Sequence, residues 1–331
     1  MNKIRIAQIG TGANNHGNEI FSTLKKNPNC FDLVGYALPE GERARMPKRL
    51  SVFQGYREMS LEEVLNDPAI EAVTVETDEI YSTKYAIMAV RAGKHVHLEK
   101  PGSPSLDEFE ELISAAKEHN RILHLGYMYR YNPVIRDMMA RVRAGELGDI
   151  ISVDAHMSCY HGRELTNWLS CFEGGMMFYL GGHILDLVLQ LQGNPIRIIP
   201  FNKNSGRFEG GTSKDVSMAV LEYEHGASVI KTSGAEYGGF LNRHLMVTGT
   251  KGTFQICPLE ISDGYPQQYT EYRVNCDPRW GSQGEWLRSE KHDRYEEMMR
   301  SFARMAAGEI DNPYSLDYEL NLFRTLKYCC Q

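Results

Sequence analysis

Apolar residues follow two different rhythms along this chain. Up to about residue 126, short apolar runs alternate with segments of helical spacing; beyond residue 150, apolar and polar positions mostly alternate one by one. Lys3–Ile9 is a β-branched run closing on Gly10-Thr11-Gly12, and Asn18–Lys26 carries Ile20, Phe21 and Leu24 at helical spacing before Asn27-Pro28. Phe31–Leu38 reads as a second strand. Ser60-Leu61-Glu62-Glu63 is a capping-box pattern opening a short helix that stops before Asp67-Pro68. Strands are expected over Ala69–Glu76, Lys94–Leu98 and Arg121–Gly126, with helices over Ser82–Ala92 and Ser105–Glu118 between them. Strands alternating with helices predict a doubly wound parallel sheet with right-handed crossovers.

The second rhythm predicts a helix over Val134–Ala144 and strands over Ile150–Ser158, Val216–Glu224, Ala227–Ser233, His244–Thr250 and Gly252–Ile256. Glu224-His225-Gly226 and Thr250-Lys251-Gly252 supply hairpin turns, so this sheet is expected to be mostly antiparallel. A Gly-interrupted helix, Met177–Gln192, lies inside the region, and helices near Tyr295–Ala307 and Leu316–Cys329 close the chain. The fold class is therefore α/β: a dinucleotide-binding domain over 1–123, a substrate-binding and oligomerisation domain over 124–290, and helices of 290–331 returning to the first.

At 331 residues the chain is long enough for two cores, and 42% hydrophobic with 24% charged residues is ordinary for a globular protein. A net charge of −7 argues against a nucleic-acid or anionic-membrane surface. No apolar run approaches the roughly 18–20 residues of a membrane span, and MNKIRIAQIG reads as a strand rather than a signal peptide. Seven scattered cysteines without a CxxC suggest reduced thiols and a cytoplasmic location.

Chemistry begins at IGTGANN, residues 9–15. After a strand and before a helix, Gly10 permits the tight turn and Gly12 lets backbone approach a pyrophosphate at the helix N-terminus. Asn15 fills a third position where a small residue is expected; its amide can cap the helix or meet a phosphate. Leu38 stands at the end of the second strand, where a carboxylate would accept from the adenosine ribose. Without that acid, and with Arg43 and Arg45 following, NADP is admitted as readily as NAD; Glu40 is an alternative ribose acceptor. At the end of a later strand, Glu99-Lys100-Pro101 places a lysine at the sheet edge where ligands bind, and desolvation beside a cationic ring would suit Lys100 to general-base work.

Taken together, Gly10-x-Gly12, Ala92-Gly93-Lys94-His95-Val96 running into Glu99-Lys100-Pro101, Tyr129-Arg130-Tyr131-Asn132-Pro133, and Gly174-Gly175 followed by Gly181-Gly182-His183-Ile184-Leu185-Asp186 resemble the glucose–fructose oxidoreductase / inositol dehydrogenase / MocA family in order and spacing over nearly the whole chain. The resemblance implies a Rossmann domain, an open-sheet second domain that often makes the oligomer contact, and NAD(P)-dependent redox chemistry on a secondary alcohol of a sugar, cyclitol or polyol. It implies Lys100 and His183 as catalytic groups; Tyr179, where the family often has an aspartate, is the third catalytic candidate, as a proton donor or acceptor or else as a wall of a larger sugar pocket. Gly10, Gly12, Ala13, Asn14 and Asn15 would form the pyrophosphate turn, Leu38 the ribose end, Thr77 and Glu99 the nicotinamide loops, and Arg130 the active-site mouth beside the cofactor. His156 and Ser158, on one strand face with Asp154, and Tyr237 are the implied substrate contacts.

Two departures stand out: the turn that is TPN-like in the family reads Thr77-Asp78-Glu79, which adds acids near the nicotinamide, and Ser82 replaces the following histidine. In a regular helix Tyr179 and His183 would stack as i and i+4, with Asp186 one turn on. Gly181 and Gly182, each costing about 1 kcal/mol against alanine inside a helix, predict a close approach to the backbone. His95 and His97 read as packed strand residues, and His156, Cys159, His161 and Cys171 fit no common zinc spacing, so no metal is expected.

The reading is a cytoplasmic NAD(P)-dependent oxidoreductase, a homodimer or homotetramer with a small sugar or polyol substrate and no nucleic-acid or membrane partner. The rivals are a glycosidase that oxidises its sugar transiently without net redox, and a non-catalytic cofactor sensor.

Overall fold

The computed structural model describes residues 3–331. The chain forms two compact units: one reaches Tyr127 and resumes over Tyr295–Asn321, the other comprises Met128–Arg294 and Leu322–Gln331. The helices after residue 290 are thus divided between the units.

In the first unit, β1 (Ile4–Ile9), β2 (Phe31–Ala37), β3 (Arg57–Glu58), β4 (Ala72–Val75), β5 (His95–Leu98) and β6 (Leu123–Leu125) form one parallel sheet in the order β3-β2-β1-β4-β5-β6. Its helices are α1 (Gly17–Lys26), α2 (Glu42–Arg45), α3 (Leu61–Asn66), α4 (Glu79–Arg91), α5 (Leu106–Glu118) and, from the chain's end, α9 (Glu296–Ala306). Ser60 and Glu63 close the capping box on α3 as the sequence predicts: Ser60 Oγ accepts from Glu63 N at 3.0 Å and Glu63 Oε2 from Ser60 N at 2.7 Å. Covered on both sides, β4 is buried at every position. The strand order reverses between β1 and β4, so the loops after their C-terminal ends flank the crevice where this topology binds ligands. One row across the sheet is polar: Gln8, Thr74, His97 and His124 are register partners and all buried.

The second unit is built on eight strands in the order β16-β15-β12-β11-β7-β10-β9-β8. These are β7 (Ile150–Ser158), β8 (Arg197–Lys203), β9 (Val216–Tyr223), β10 (Gly226–Ser233), β11 (His244–Gly249), β12 (Thr253–Ile256), β15 (Glu271–Asn275) and β16 (Leu287–Arg288). Only β7 and β10 pair in parallel. Three short strands, β13 (Ile261–Ser262), β14 (Gln267–Tyr269) and β17 (His292–Asp293), make a separate small sheet. The sequence reading has no counterpart for β8. Pro200 interrupts its pattern, and β8 lies at the sheet edge, where a missing N–H costs no ladder bond.

Three helices complete the unit: α6 (Pro133–Arg143), α7 (Arg163–Trp168) and α8 (Gly182–Gln192); α10 (Leu316–Cys329) crosses the division between the units. Asn132 caps α6, its Oδ1 accepting from Val134 N at 2.9 Å. The face of β10 bearing Ser228, Ile230 and Thr232 is the one α8 covers: Ser228 Oγ bonds Gln192 Oε1, the last residue of α8.

Candidate functional site

In the first unit, Gly10 holds a φ of +90°, and a Cβ there would sit 2.6 Å from Thr77 N. A Cβ on Gly12 would lie 2.8 Å from Asp78 N. Only glycine lets the turn lie flat on the loop between β4 and α4. Gly12 N–H donates to Glu76 O at 2.6 Å. Asn15 is used internally: its Nδ2 donates to Glu76 O at 2.7 Å and Thr77 O at 2.9 Å, and its Oδ1 accepts from Gly17 N at the start of α1. The larger third residue therefore laces the turn to the end of β4, while Ala13 is the exposed residue of the turn. That exposed position ahead of a helix N-terminus fits the pyrophosphate of a dinucleotide.

Leu38 is half-buried against the cluster of Phe21, Tyr36 and Phe53. Glu42, which the sequence reading passed over, is fully buried, and its Oε2 accepts from Thr11 N at 3.0 Å. Burial pushes its carboxyl up to about 7. The arginines after β2 are engaged within the unit. Arg43 pairs with Glu58, Arg45 with Asp78 at 2.8 Å, and Arg49 donates to Thr11 Oγ1 at 3.1 Å and Asn15 O at 3.2 Å. Glu40 accepts from Tyr85 Oη and pairs with Lys84.

Beside this turn lies a group of carboxylates. Lys100 is 3% exposed, follows β5, and its Nζ stands 3.7 Å from Glu99 Oε1. Glu99 also meets His16 Nδ1 at 3.3 Å. Burial alone would raise the Glu99 carboxyl, but the His16 hydrogen bond and the charges of His16 and Lys100 bring it down to about 2. Glu76 is fully buried with neither oxygen hydrogen-bonded; burial and the neighbouring Glu99 and Glu79 push it well above the carboxylate range. Neither carboxylate oxygen of Glu79 has a hydrogen-bond partner, and burial lifts Glu79 to about 8 against the opposing charge of Lys100.

A carboxyl whose folded value lies above its unfolded 4.5 keeps its proton in the native state after the unfolded chain has lost it. Stability then falls as pH rises from about 4.5 to about 8. Urea unfolding of Glu79→Gln should therefore show a flatter pH dependence than the parent over this window. The slopes should differ by up to about 1 kcal/mol per pH unit, and equal slopes would refute a protonated Glu79.

In the second unit, Arg130 is buried and grips Asp186 bidentately, Nε to Oδ2 at 3.0 Å and Nη2 to Oδ1 at 2.8 Å, while Gln190 also donates to Asp186. His183, at the start of α8, is buried edge-on to Tyr129, ring centroids 5.5 Å apart. The segment joining Tyr179 to His183 is not a regular α-helix. Met177–Gly181 forms a π-helical turn before α8, and the wider turn rotates Tyr179 toward His161 and Trp168. The close approach expected at the glycine pair is made by the Met177 sulfur, 2.4 Å from where a Gly181 Cβ would be.

His156 and Ser158 lie on the sheet face turned away from α8. They alternate with Val153, Ala155 and Met157, and His156 stands in a cross-strand row between Lys231 and His244. His156 Nε2 is 2.6 Å from Ser158 Oγ and 3.0 Å from Glu236. Strand parity puts Asp154 on this face as well. Tyr237 is 79% exposed and stacks on Tyr160. Cys159 and His161 contact each other and Cys171 is exposed; among the described residues no group of three His, Cys, Asp or Glu side chains is gathered as for a metal ion. A network absent from the sequence reading joins Tyr129, Glu260, Arg243 and Arg294, with Tyr129 Oη donating to Glu260 at 2.6 Å.

The parallel sheet with its glycine turn has the topology of a dinucleotide-binding fold, and the second unit is an open, mostly antiparallel sheet. Residues 4–127 match the oxidoreductase family with an NAD-binding Rossmann fold, and residues 135–255 match the Gfo/Idh/MocA C-terminal domain. The chain belongs to the Gfo/Idh/MocA family.

Two scyllo-inositol 2-dehydrogenases of Bacillus subtilis are each 30% identical to it. The NADP-dependent one matches over 54% of this chain and 51% of its own length, the NAD-dependent one over 59% and 64%. The chain thus spans between half and two thirds of the length of these relatives. A 3-ketoreductase of Actinomadura kijaniata, solved with NADP and TDP-benzene, superposes with a TM-score of 0.79 at 18% identity, covering 98% of this chain and 96% of its own. Among the described residues no helix is long and apolar enough to cross a membrane.

Proposed function

We propose that this chain transfers hydride between NAD(P) and a secondary alcohol or ketone of a sugar, cyclitol or related polyol. The observation that carries the reading is Lys100: a buried amine beside Glu99, at the end of β5, on the sheet edge that also carries the glycine turn. A lysine sheltered from water at that edge is suited to take the hydroxyl proton in oxidation and return it in reduction. The nicotinamide, when bound, supplies the carbon that accepts or donates hydride. His183 is the second proton-handling group in this proposal, with Tyr179 assigned to the substrate-pocket wall. The names of the inositol dehydrogenases and of the 3-ketoreductase support a cyclic polyol or sugar substrate. A homodimer or homotetramer in the cytoplasm belongs to the same proposal, on likeness of fold alone.

The test is a titration with NADH and NADPH followed by nicotinamide fluorescence, then absorbance at the nicotinamide band with a panel of cyclitols and sugars. Saturable binding and polyol-dependent reduction of NAD(P) are expected. No binding, and no nucleotide released on denaturation, would refute the function. Nucleotide that co-purifies, never exchanges and shows no absorbance change during turnover would favour a closed redox cycle instead.

A further inference from the structure

Four backbone N–H groups of the turn have assigned partners, and Gly10 N–H goes to the carbonyl of Ala37 at the end of β2. Thr11 N–H goes to the buried Glu42 and Gly12 N–H to the carbonyl of Glu76, both on the inner side. Ala13 is the exposed position, and its N–H donates to Asp78 Oδ1 at 2.9 Å. A carboxylate there presents the charge and acceptor geometry of a phosphate oxygen.

Asp78 is also placed for another task that it does not perform. It occupies the N-cap position of α4, where aspartate ordinarily bonds the helix's free N–H groups, yet its side chain makes no cap bond. The side chain reaches across to the turn instead, and Arg45 Nη1 holds its other oxygen at 2.8 Å. Arg45, 41% exposed along its side chain, is anchored besides only to the carbonyl of Glu40, so the pair can move outward together.

We propose that Asp78 competes with the dinucleotide's pyrophosphate for the Ala13 N–H, so that the cofactor binds by displacing the Asp78 carboxylate, with Arg45 leaving alongside it. The proposal rests on the cofactor reading above and sets how tightly the cofactor is held. The charged groups around the turn are Asp78 and Glu42 on the acidic side, Arg45 and Arg49 on the basic side. Of the two acids only Asp78 bonds the Ala13 N–H. A pyrophosphate brought against a fixed Asp78 would lose a donor and face a like charge, so removing that carboxylate should tighten binding.

The experiment measures dissociation constants of NADH, ADP-ribose and adenosine by calorimetry for the parent, Asp78→Ala and Asp78→Asn, with melting curves to verify folding. Asp78→Ala should bind NADH and ADP-ribose about tenfold more tightly, with adenosine, which has no phosphate, unchanged. Asp78→Asn should move the same way by less, because its amide oxygen still accepts from Ala13. ADP-ribose binding that is unchanged or weaker in both variants overturns the proposal, as does an equal gain for adenosine. A parent and variants that all fail to bind NADH and ADP-ribose overturn the cofactor reading itself, a different outcome from unchanged binding.

Discussion

Lys100→Met should lower turnover about a thousandfold while leaving the NADH dissociation constant within a few-fold of the parent. Methionine roughly keeps the length and apolar stem of the side chain, so the buried site beside Glu99 stays filled and only the proton-carrying nitrogen is lost. The loss should appear in kcat, because the missing interaction belongs to the transition state. Steady-state rates with the best polyol decide the matter. Lys100→Met at parental turnover would remove Lys100 from the chemistry.

Arg130→Met should destabilise the fold by about 3–5 kcal/mol, the largest stability effect expected from one side chain here. The guanidinium and the Asp186 carboxylate are both about 1% exposed, and the pair fastens the turn at Met128–Tyr131 to the middle of α8. Methionine leaves Asp186 charged in a buried place with only Gln190 to replace the lost donors among its resolved partners. Restoring electrical balance with Arg130→Met/Asp186→Leu should recover most of the loss, because a buried ion pair and an apolar pair of similar volume are nearly equivalent. Urea unfolding of the three variants checks it. A loss below about 1 kcal/mol in the single variant would mean that the pair is hydrated in solution and that Arg130 has another task.

The parallel sheet was legible because its signals are local: β-branched runs, capping residues and glycine turns fall in a fixed order, and the strands ending at Ile9, Val75 and Leu98 stop within a residue of where the sequence puts them. Asn15 was legible as an anomaly, but its side chain turns onto Gly17 N–H from one residue before the N-cap, His16, and onto the carbonyls of Glu76 and Thr77. Glu42 was not legible. Its carboxylate meets Thr11 across 31 residues of chain, and nothing in Pro39-Glu40-Gly41-Glu42 says which acid turns inward. The π-helical turn between Tyr179 and His183 was not legible for a different reason. A π-turn keeps the apolar character of a helix while shifting its register, so a periodicity of 3.6 carried through Met177–Gly181 assigns the wrong face. Alternation grouped His156 correctly with Asp154 and Ser158, but strand parity alone could not say which side of the sheet faces α8.

The buried histidine pair restricts the charge available to the first unit. His97 Nδ1 and His124 Nδ1 face each other at 2.8 Å, so one ring carries hydrogen at that nitrogen and the other offers a lone pair. The two rings are locked as opposite tautomers, and a second proton would set two N–H bonds head to head. Burial already holds His97 near 4. His97 Nε2 lies 3.7 Å from Glu76 Oε1, yet a ring held near 4 is neutral at neutral pH and gives Glu76 no counterion. Burial and the neighbouring acids instead push the Glu76 carboxyl up toward its protonated form, while Glu99 lies beside Lys100 and His16. The interior of the sheet thus acts as an insulator under the site, leaving charge balance to be settled at its upper edge.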